Sequence, residues 1–208
     1  MKGSKQRATA RTMAIAAAIT VGLTMSGGTV AAGIDSSNHI VDRQDRTVEA
    51  IQSDTRIDFV APLDGNPLTR EWFHNGTASF RVSGPRSEDW SGYIATGYQV
   101  GYPATLDGRI RFQWSTPSLG IELDQDPSLH IGDLVPKAGI ELSVGFGPGI
   151  QTVEATGGDV SGNEGYIRMS GFHGSVTGVI GQVTIRPWVR VVSSNGDSVI
   201  TYGPLWTI

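Results

Sequence analysis

The stretch GRIRFQWSTPSLGIELDQDP, residues 108–127, alternates apolar and polar side chains and then runs into acids. The apolar side of the alternation consists of Ile110, Phe112 and Trp114, and the polar side consists of Arg109, Arg111, Gln113 and Ser115. A period of two is typical of a β-strand whose two faces meet different surroundings. The strand is predicted to break at Thr116-Pro117, and the acids Glu122, Asp124 and Asp126 follow that break.

A second alternating run, residues 134–146, follows the acidic stretch. Its apolar side contains Ile140, Leu142, Val144 and Phe146, and the polar residues opposite are Asp133, Lys137, Glu141 and Ser143. Both runs are long enough for the roughly 9–11 residues that a membrane-crossing strand needs. We therefore predict a transmembrane barrel hairpin over residues 104–147, with its apolar side toward lipid and its polar side toward a pore. A long antiparallel pair packed on a soluble protein core fits the same alternation.

A single hairpin of this kind cannot cross a membrane alone. Its two outer edges carry unpaired N–H and C=O groups, and each such group costs several kcal/mol in hydrocarbon. Summed over both edges the cost reaches roughly tens of kcal/mol, more than the ~5–15 kcal/mol that stabilises a domain. Several copies are therefore expected to close a barrel together.

The acids between the two strands have more than one interpretation. In a ring of copies, Glu122, Asp124 and Asp126 would form a belt of negative charge, and such belts select for cations. Acids also simply keep a turn soluble. An EF-hand calcium loop is rejected, because Leu129 stands where that loop needs Gly and Val135 where it needs Glu.

The first 32 residues have the pattern of a secretory signal peptide. Four basic residues precede an apolar run, and the small residues Val30-Ala31-Ala32 supply a cleavage site, so the mature chain is expected to begin at Gly33. Without those four basic residues the formal net charge of −4 becomes −8, and this negative charge disfavours nucleic acid as a partner. The chain has no cysteine, so the exported protein must be held by burial, strand pairing or assembly rather than by disulfides.

The rest of the mature chain is predicted to be all-β. Period-two segments bounded by Gly, Pro, Asn and Asp recur, and no helical periodicity is sustained. Residues 33–103 and 148–208 are predicted to form a β-sandwich. The predicted strands are 47–60, 77–83, 90–101, 104–116, 136–147, 150–156, 164–172, 175–192 and 198–203. Turns are predicted at 63–67, 83–85, 157–159 and 194–197.

Ordered segments along the mature chain resemble the MspA-type porins, a channel family of mycobacteria and related mycolic-acid actinobacteria. They are VDRQDRT (41–47), PLDGNPLTREWFHNG (62–76), GYQVGYP (97–103), STP (115–117), GPGIQ (147–151), DVSGNEG (159–165), HGSVTG (173–178), IRP (185–187) and GDSVITYG (196–203).

The resemblance implies a goblet-shaped homo-octamer with a β-sandwich rim and a sixteen-stranded stem in the outer, mycolic-acid membrane. It also implies a water-filled pore for passive diffusion of ions and small hydrophilic solutes. Counted from Thr116-Pro117, Glu122 stands where the family has its first constriction aspartate, and Leu123 stands where it has the second. Asp124 and Asp126 follow, so a negative constriction is still expected.

Other functional classes receive less support from the sequence. No G-x-S-x-G elbow, cysteine nucleophile or metal-spaced histidine set occurs, so we predict neither an enzyme nor a cofactor or metal site. A secreted pore-forming toxin and a soluble β-sandwich binding module remain as alternatives. His74, beside Trp72 and Phe73, is predicted to be a packed structural residue. Arg109 and Arg111 are predicted to pair with Glu141 across the hairpin.

Overall fold

Alternating side chains form strands throughout the computed structural model, which describes residues 33–115, 119–120 and 140–208. The prediction of an all-β fold is confirmed. A single 3-10 turn, Ser87–Asp89, is the helical element within these ranges. The strands are β1 (Ile34–Val41), β2 (Thr47–Val60), β3 (Thr69–Ser83), β4 (Ser91–Tyr102), β5 (Ala104–Thr105), β6 (Arg109–Ser115), β7 (Leu119–Gly120), β8 (Ile140–Ser143), β9 (Gly149–Ser161), β10 (Glu164–Thr177), β11 (Val179–Ile180), β12 (Thr184–Ser193), β13 (Ser198–Tyr202) and β14 (Trp206–Thr207).

The strands form two main antiparallel sheets. Sheet A has the order β1-β2-β3-β10-β6-β8, and β7 also pairs with β10. Sheet B has the order β13-β12-β4-β9, and β14 pairs with β12. Strands β5 and β11 form a short ladder of their own. Because β10 lies between β3 and β6, it joins the base of the predicted hairpin directly to the sandwich.

Aromatic rings from both sheets fill the core. Trp72 of β3, Tyr98 of β4 and Trp114 of β6 are 0%, 1% and 8% exposed. The ring of Tyr98 stacks on Trp114 with centroids 5.3 Å apart, and Trp72 meets Tyr98 edge-on at 5.5 Å. Each such pair contributes about 0.5–1.5 kcal/mol beyond the area that it buries. The sandwich is therefore closed by aromatic packing at the point where β6 joins it.

His74 belongs to this core, as predicted. Its side chain is 1% exposed, and its Nδ1 lies 2.8 Å from the Tyr98 hydroxyl. Burial disfavours the charged imidazolium and lowers the pKa of His74 to about 4. A neutral, hydrogen-bonded histidine is thus part of the packing and is not exposed to a ligand.

The predicted strand 175–192 is interrupted in the structure. Val183, Ile185 and Val189, which are an even number of residues apart, are fully buried on one side of it. The chain bends at Gly178 and Gly181, which have φ of +96° and +85°. Only glycine adopts such angles readily, so the chain passes through β11 before it enters β12.

The predicted turn at Gly157-Gly158-Asp159 is wrong. Strand β9 continues through these residues to Ser161 and pairs with β4 along its length. A Cβ on Gly157 would lie 2.5 Å from the Tyr93 hydroxyl oxygen. The glycine leaves room for a tyrosine ring that lies against the sheet, and it does not mark a reversal of the chain.

The described ranges contain no helix that is both long and apolar enough to span a membrane. In the same ranges no group of three or more His, Cys, Asp or Glu side chains is arranged to hold a metal ion.

Candidate functional site

The base of the predicted hairpin is the pair β6–β8. Arg111 lies opposite Glu141 and Arg109 lies opposite Ser143 in the antiparallel register. The Arg111 guanidinium is 2.5 Å from one Glu141 oxygen, and Arg109 is 3.6 Å from the other. The predicted cross-strand pairing is confirmed. These three side chains are solvent-exposed, so the ion pairs are screened by water and contribute little to stability; their main effects are on register and local charge.

The apolar side of β6 faces protein in this structure. Ile110 and Phe112 are fully buried, and Trp114 packs between Tyr98, Phe112 and Phe172. The prediction that these three side chains face lipid is therefore corrected, because all three belong to the buried core, where Trp114 stacks on Tyr98 of sheet B. Alternation of apolar and polar residues indicates only that one face of a strand avoids water. Here the core of the sandwich provides the apolar surroundings.

The apolar side of β8 and of the residues after it is less covered. Leu142 and Val144 are half-buried against the core, Ile140 is half-buried, and Phe146 is 70% exposed. On the polar side, Arg109, Arg111, Gln113, Glu141 and Ser143 are all exposed. Ser115 ends β6, and its backbone pairs with His173. The predicted constriction acids Glu122, Asp124 and Asp126, and the predicted lining residues Asp133 and Lys137, lie outside the described residues.

Contacts that the sequence did not predict hold the hairpin base together and bring Gly178 of the sandwich against it. The Thr105 hydroxyl donates to the Gly145 carbonyl at 2.7 Å, and the Val144 N–H donates to the Gly108 carbonyl at 2.8 Å. Gly108 and Gly145 have φ of +71° and +79°. A Cβ on Gly178 would lie 2.4 Å from the Arg109 carbonyl oxygen. Glycines thus allow three backbone segments to meet where the hairpin begins.

Comparison with known proteins places the chain in a family. The MspA family model matches residues 44–207, most of the chain. The chain belongs to the MspA family. Porin MspC of Mycolicibacterium smegmatis (strain ATCC 700084 / mc(2)155) is 42% identical over 216 residues, which cover 100% of both chains. Porin MspB of the same strain is 42% identical over 196 residues, 91% of both chains. Porin MspA of that strain is 41% identical over 209 residues, 97% of this chain and 99% of the relative.

This MspA-family chain is an exported porin of the outer membrane and is not an enzyme. The resemblance that the sequence segments indicated is confirmed. The match with porins along the whole chain also sets aside the two alternative functions, a secreted pore-forming toxin and a soluble β-sandwich binding module.

One cluster on the outer face of sheet A, the face that is turned away from the core between the two sheets, was not singled out from the sequence. His173 of β10 is hydrogen-bonded to Glu71 of β3, with Nε2 and Oε1 2.5 Å apart. The His173 ring also lies 5.0 Å from the ring of Phe73, which is 38% exposed. The pattern LTREWFH contained a signal: Glu71 and Phe73 alternate with the buried Trp72 and His74, so they share the opposite face.

Proposed function

We propose that this outer-membrane porin forms a water-filled, cation-preferring channel through which ions and small hydrophilic solutes diffuse passively. The proposal rests on one observation above the others, the match with porins along nearly the whole chain. Several copies assemble the channel. An octamer with a sixteen-stranded stem is the form that the family resemblance implies.

The exposure of β6 supports a wet pore. One side of the strand is closed by the core, so its open side is the one with Arg109, Arg111 and Gln113. Charged side chains are costly against lipid and are favourable against water. This face therefore lines the water-filled path, with Glu141 and Ser143 beside it on β8. Phe146 remains the exposed aromatic side chain proposed to contact lipid.

The edge of sheet A supports assembly. In the described part of the chain, β8 pairs with β6 and forms the end of the sheet. An open edge carries unpaired N–H and C=O groups that a second chain satisfies most simply by adding a strand. Inside a membrane that requirement is strict, so the hairpins of several copies close on one another.

We attribute the proposed cation preference of the channel to the acids Glu122, Asp124 and Asp126 at the predicted hairpin tip. At the hairpin base Arg109 and Arg111 are offset by Glu141 and by the exposed Asp107, so this part of the path carries no net charge and favours neither sign of ion. A cation preference therefore requires negative charge elsewhere on the path. Rings of carboxylates at a narrow point provide it. Asp133 and Lys137 complete the proposed lining.

The test is to replace Glu122, Asp124 and Asp126 together with Asn and to record single channels in a planar bilayer under a salt gradient. We expect the reversal potential to move toward that of a non-selective channel, because the belt of negative charge is gone. The matched control exchanges the same acids while keeping their charge: Glu122→Asp, Asp124→Glu and Asp126→Glu. A reversal potential that is the same in the parent, the Asn variant and the control would show that these acids do not set selectivity.

A further inference from the structure

We propose that the outer face of sheet A, and not that of sheet B, is the wetted wall of the channel beyond the hairpin base. The outer face of a sheet is the side turned away from the core between the sheets. The inference rests on the proposed function, because it extends the path that Arg111 and Gln113 line onto strands β10, β3 and β2. None of those strands was predicted to line a pore.

The register of sheet A makes this face continuous. Gln113 lies opposite Ser175, and Arg111 lies opposite Thr177, where β6 pairs with β10. Residues directly opposite each other in an antiparallel ladder point to the same side of the sheet. The next residue of that side on β10, His173, lies opposite Phe73 of β3, and Phe73 lies opposite Asp58 of β2. One surface therefore runs from the hairpin base across three strands of the sandwich.

The other side of the same strands is sealed by protein. Gly174 lies opposite both Trp72 and Trp114 in the register. A Cβ on Gly174 would lie 2.6 Å from the Trp72 ring and 2.8 Å from the Trp114 ring. The two indoles close over this glycine and leave no room for water. A path that wets β6 can continue along sheet A only on the outer face.

The chemistry of the outer face of sheet A suits water. It carries the ion pairs Arg81–Glu49 at 3.8 Å and Arg56–Asp58 at 3.0 Å and the Glu141 pairs of the hairpin base, together with the Glu71–His173 hydrogen bond. A surface with this many charges is unfavourable against lipid, whereas the interior of a membrane barrel is polar. Because its charges are largely paired, this wall is expected to modulate selectivity less than an unpaired acidic ring does.

The outer face of sheet B has a different character in the described ranges. Trp188 is 2% exposed and lies beneath the Arg190 guanidinium, which is 5.6 Å from its ring. Ile150 and Tyr202 are 71% and 41% exposed on the same side. Besides the ion pair Arg190–Glu154, this face carries the exposed Arg186 and Asp159, so it has fewer charges than the outer face of sheet A and is the more apolar of the two.

Phe73 is the aromatic contact that this wall offers to a passing solute. Its exposed ring lies against His173 and next to Asp58 in the register, so a ring face and a carboxylate are close together. Small cations and polar solutes with an apolar face are the chemical class that this combination attracts.

The absence of cysteine from the chain allows a direct test. Single variants Phe73→Cys and Asp58→Cys place a thiol on the outer face of sheet A, and Thr152→Cys and Arg186→Cys place one at exposed positions on sheet B. Channels in a planar bilayer are treated with the membrane-impermeant sulfonatoethyl or trimethylammonium-ethyl methanethiosulfonate. Both reagents are expected to reduce the current of the sheet A variants in steps and to leave the sheet B variants unchanged. At Asp58→Cys the two reagents should shift the reversal potential in opposite directions.

The two ways of failing are distinguishable. If the parent protein passes no current, the proposed function fails. The parent, which has no thiol, should conduct and be insensitive to both reagents. Mass spectrometry in detergent checks that the thiols of the sheet A variants are labelled. Unchanged currents in both labelled sheet A variants would then overturn the inference. Equal changes at both sheets would overturn it as well.

Discussion

At the scale of single residues, His74 links the stability of the sandwich to pH. Its pKa is about 4 in the folded chain, against an unfolded value near 6.5. As the pH decreases, His74 therefore takes up its proton at a higher pH in the unfolded chain than in the folded chain. The free energy of unfolding should fall as the pH decreases from about 6.5 to about 4. The loss over that window is about 3 kcal/mol per chain, at about 1.4 kcal/mol per pH unit.

Thermal unfolding of the detergent-extracted protein, followed by circular dichroism at several pH values, measures this loss. The variant His74→Gln cannot titrate, and its amide can still bond to the Tyr98 hydroxyl. Its Tm should be lower than that of the parent at pH 7 and should depend less steeply on pH between 6.5 and 4. An equal pH dependence in both proteins would assign the acid sensitivity to other groups.

Single residues also show where sequence reasoning reaches its limit. Opposite charges across a hairpin predicted the pairing of Arg111 with Glu141, because the register of neighbouring strands is nearly local information. The surroundings of Trp114 were predicted wrongly, since lipid and a protein core impose the same alternation on a strand. Its actual neighbours, Tyr98 and Phe172, are distant in sequence, and only the tertiary fold brings them together.

At the scale of elements, side-chain periodicity located strands better than their ends. Strand β2 has the predicted bounds, 47–60, because alternation continues to turn residues on both sides. The segment 34–41 was missed, although it forms β1 at an edge of sheet A. Its polar residues are typical of an exposed edge strand and give little periodic signal. Glycine was the main source of error in the predicted strand ends, because glycine occurs both in turns and within strands where another group packs closely.

Gly157 provides a test of the close-packing interpretation in β9. A methyl group at this position would meet the Tyr93 hydroxyl at 2.5 Å and the Ile94 carbonyl oxygen at 2.8 Å. Since the carbonyl belongs to a paired strand and cannot move away cheaply, Gly157→Ala should cost about 1–3 kcal/mol of stability. The control is Gly147→Ala, where nothing lies within 4 Å of the added carbon. Unfolding midpoints that are equal in the two variants would contradict the close-packing role.

At the scale of the whole molecule, the sequence predicted what class of protein this is better than how its parts are joined. The class follows from motifs in order along the chain, and the match with porins confirms it. The division at residue 104 treats the hairpin as separate from the sandwich, whereas β6 lies in sheet A beside β10. That pairing joins segments about 60 residues apart, and no local pattern encodes it.

Glu141 connects local charge to the behaviour of the assembled channel. It balances both Arg109 and Arg111, so Glu141→Gln adds one positive charge to the proposed wall in every copy of the chain. We expect the reversal potential under a salt gradient to shift toward anions, while Tm changes little because water screens these exposed pairs. Glu141→Asp keeps the charge and should keep the reversal potential of the parent. If Glu141→Gln conducts with the parent's selectivity, these arginines do not face the pore, and the polar side of β6 must be turned toward another surface.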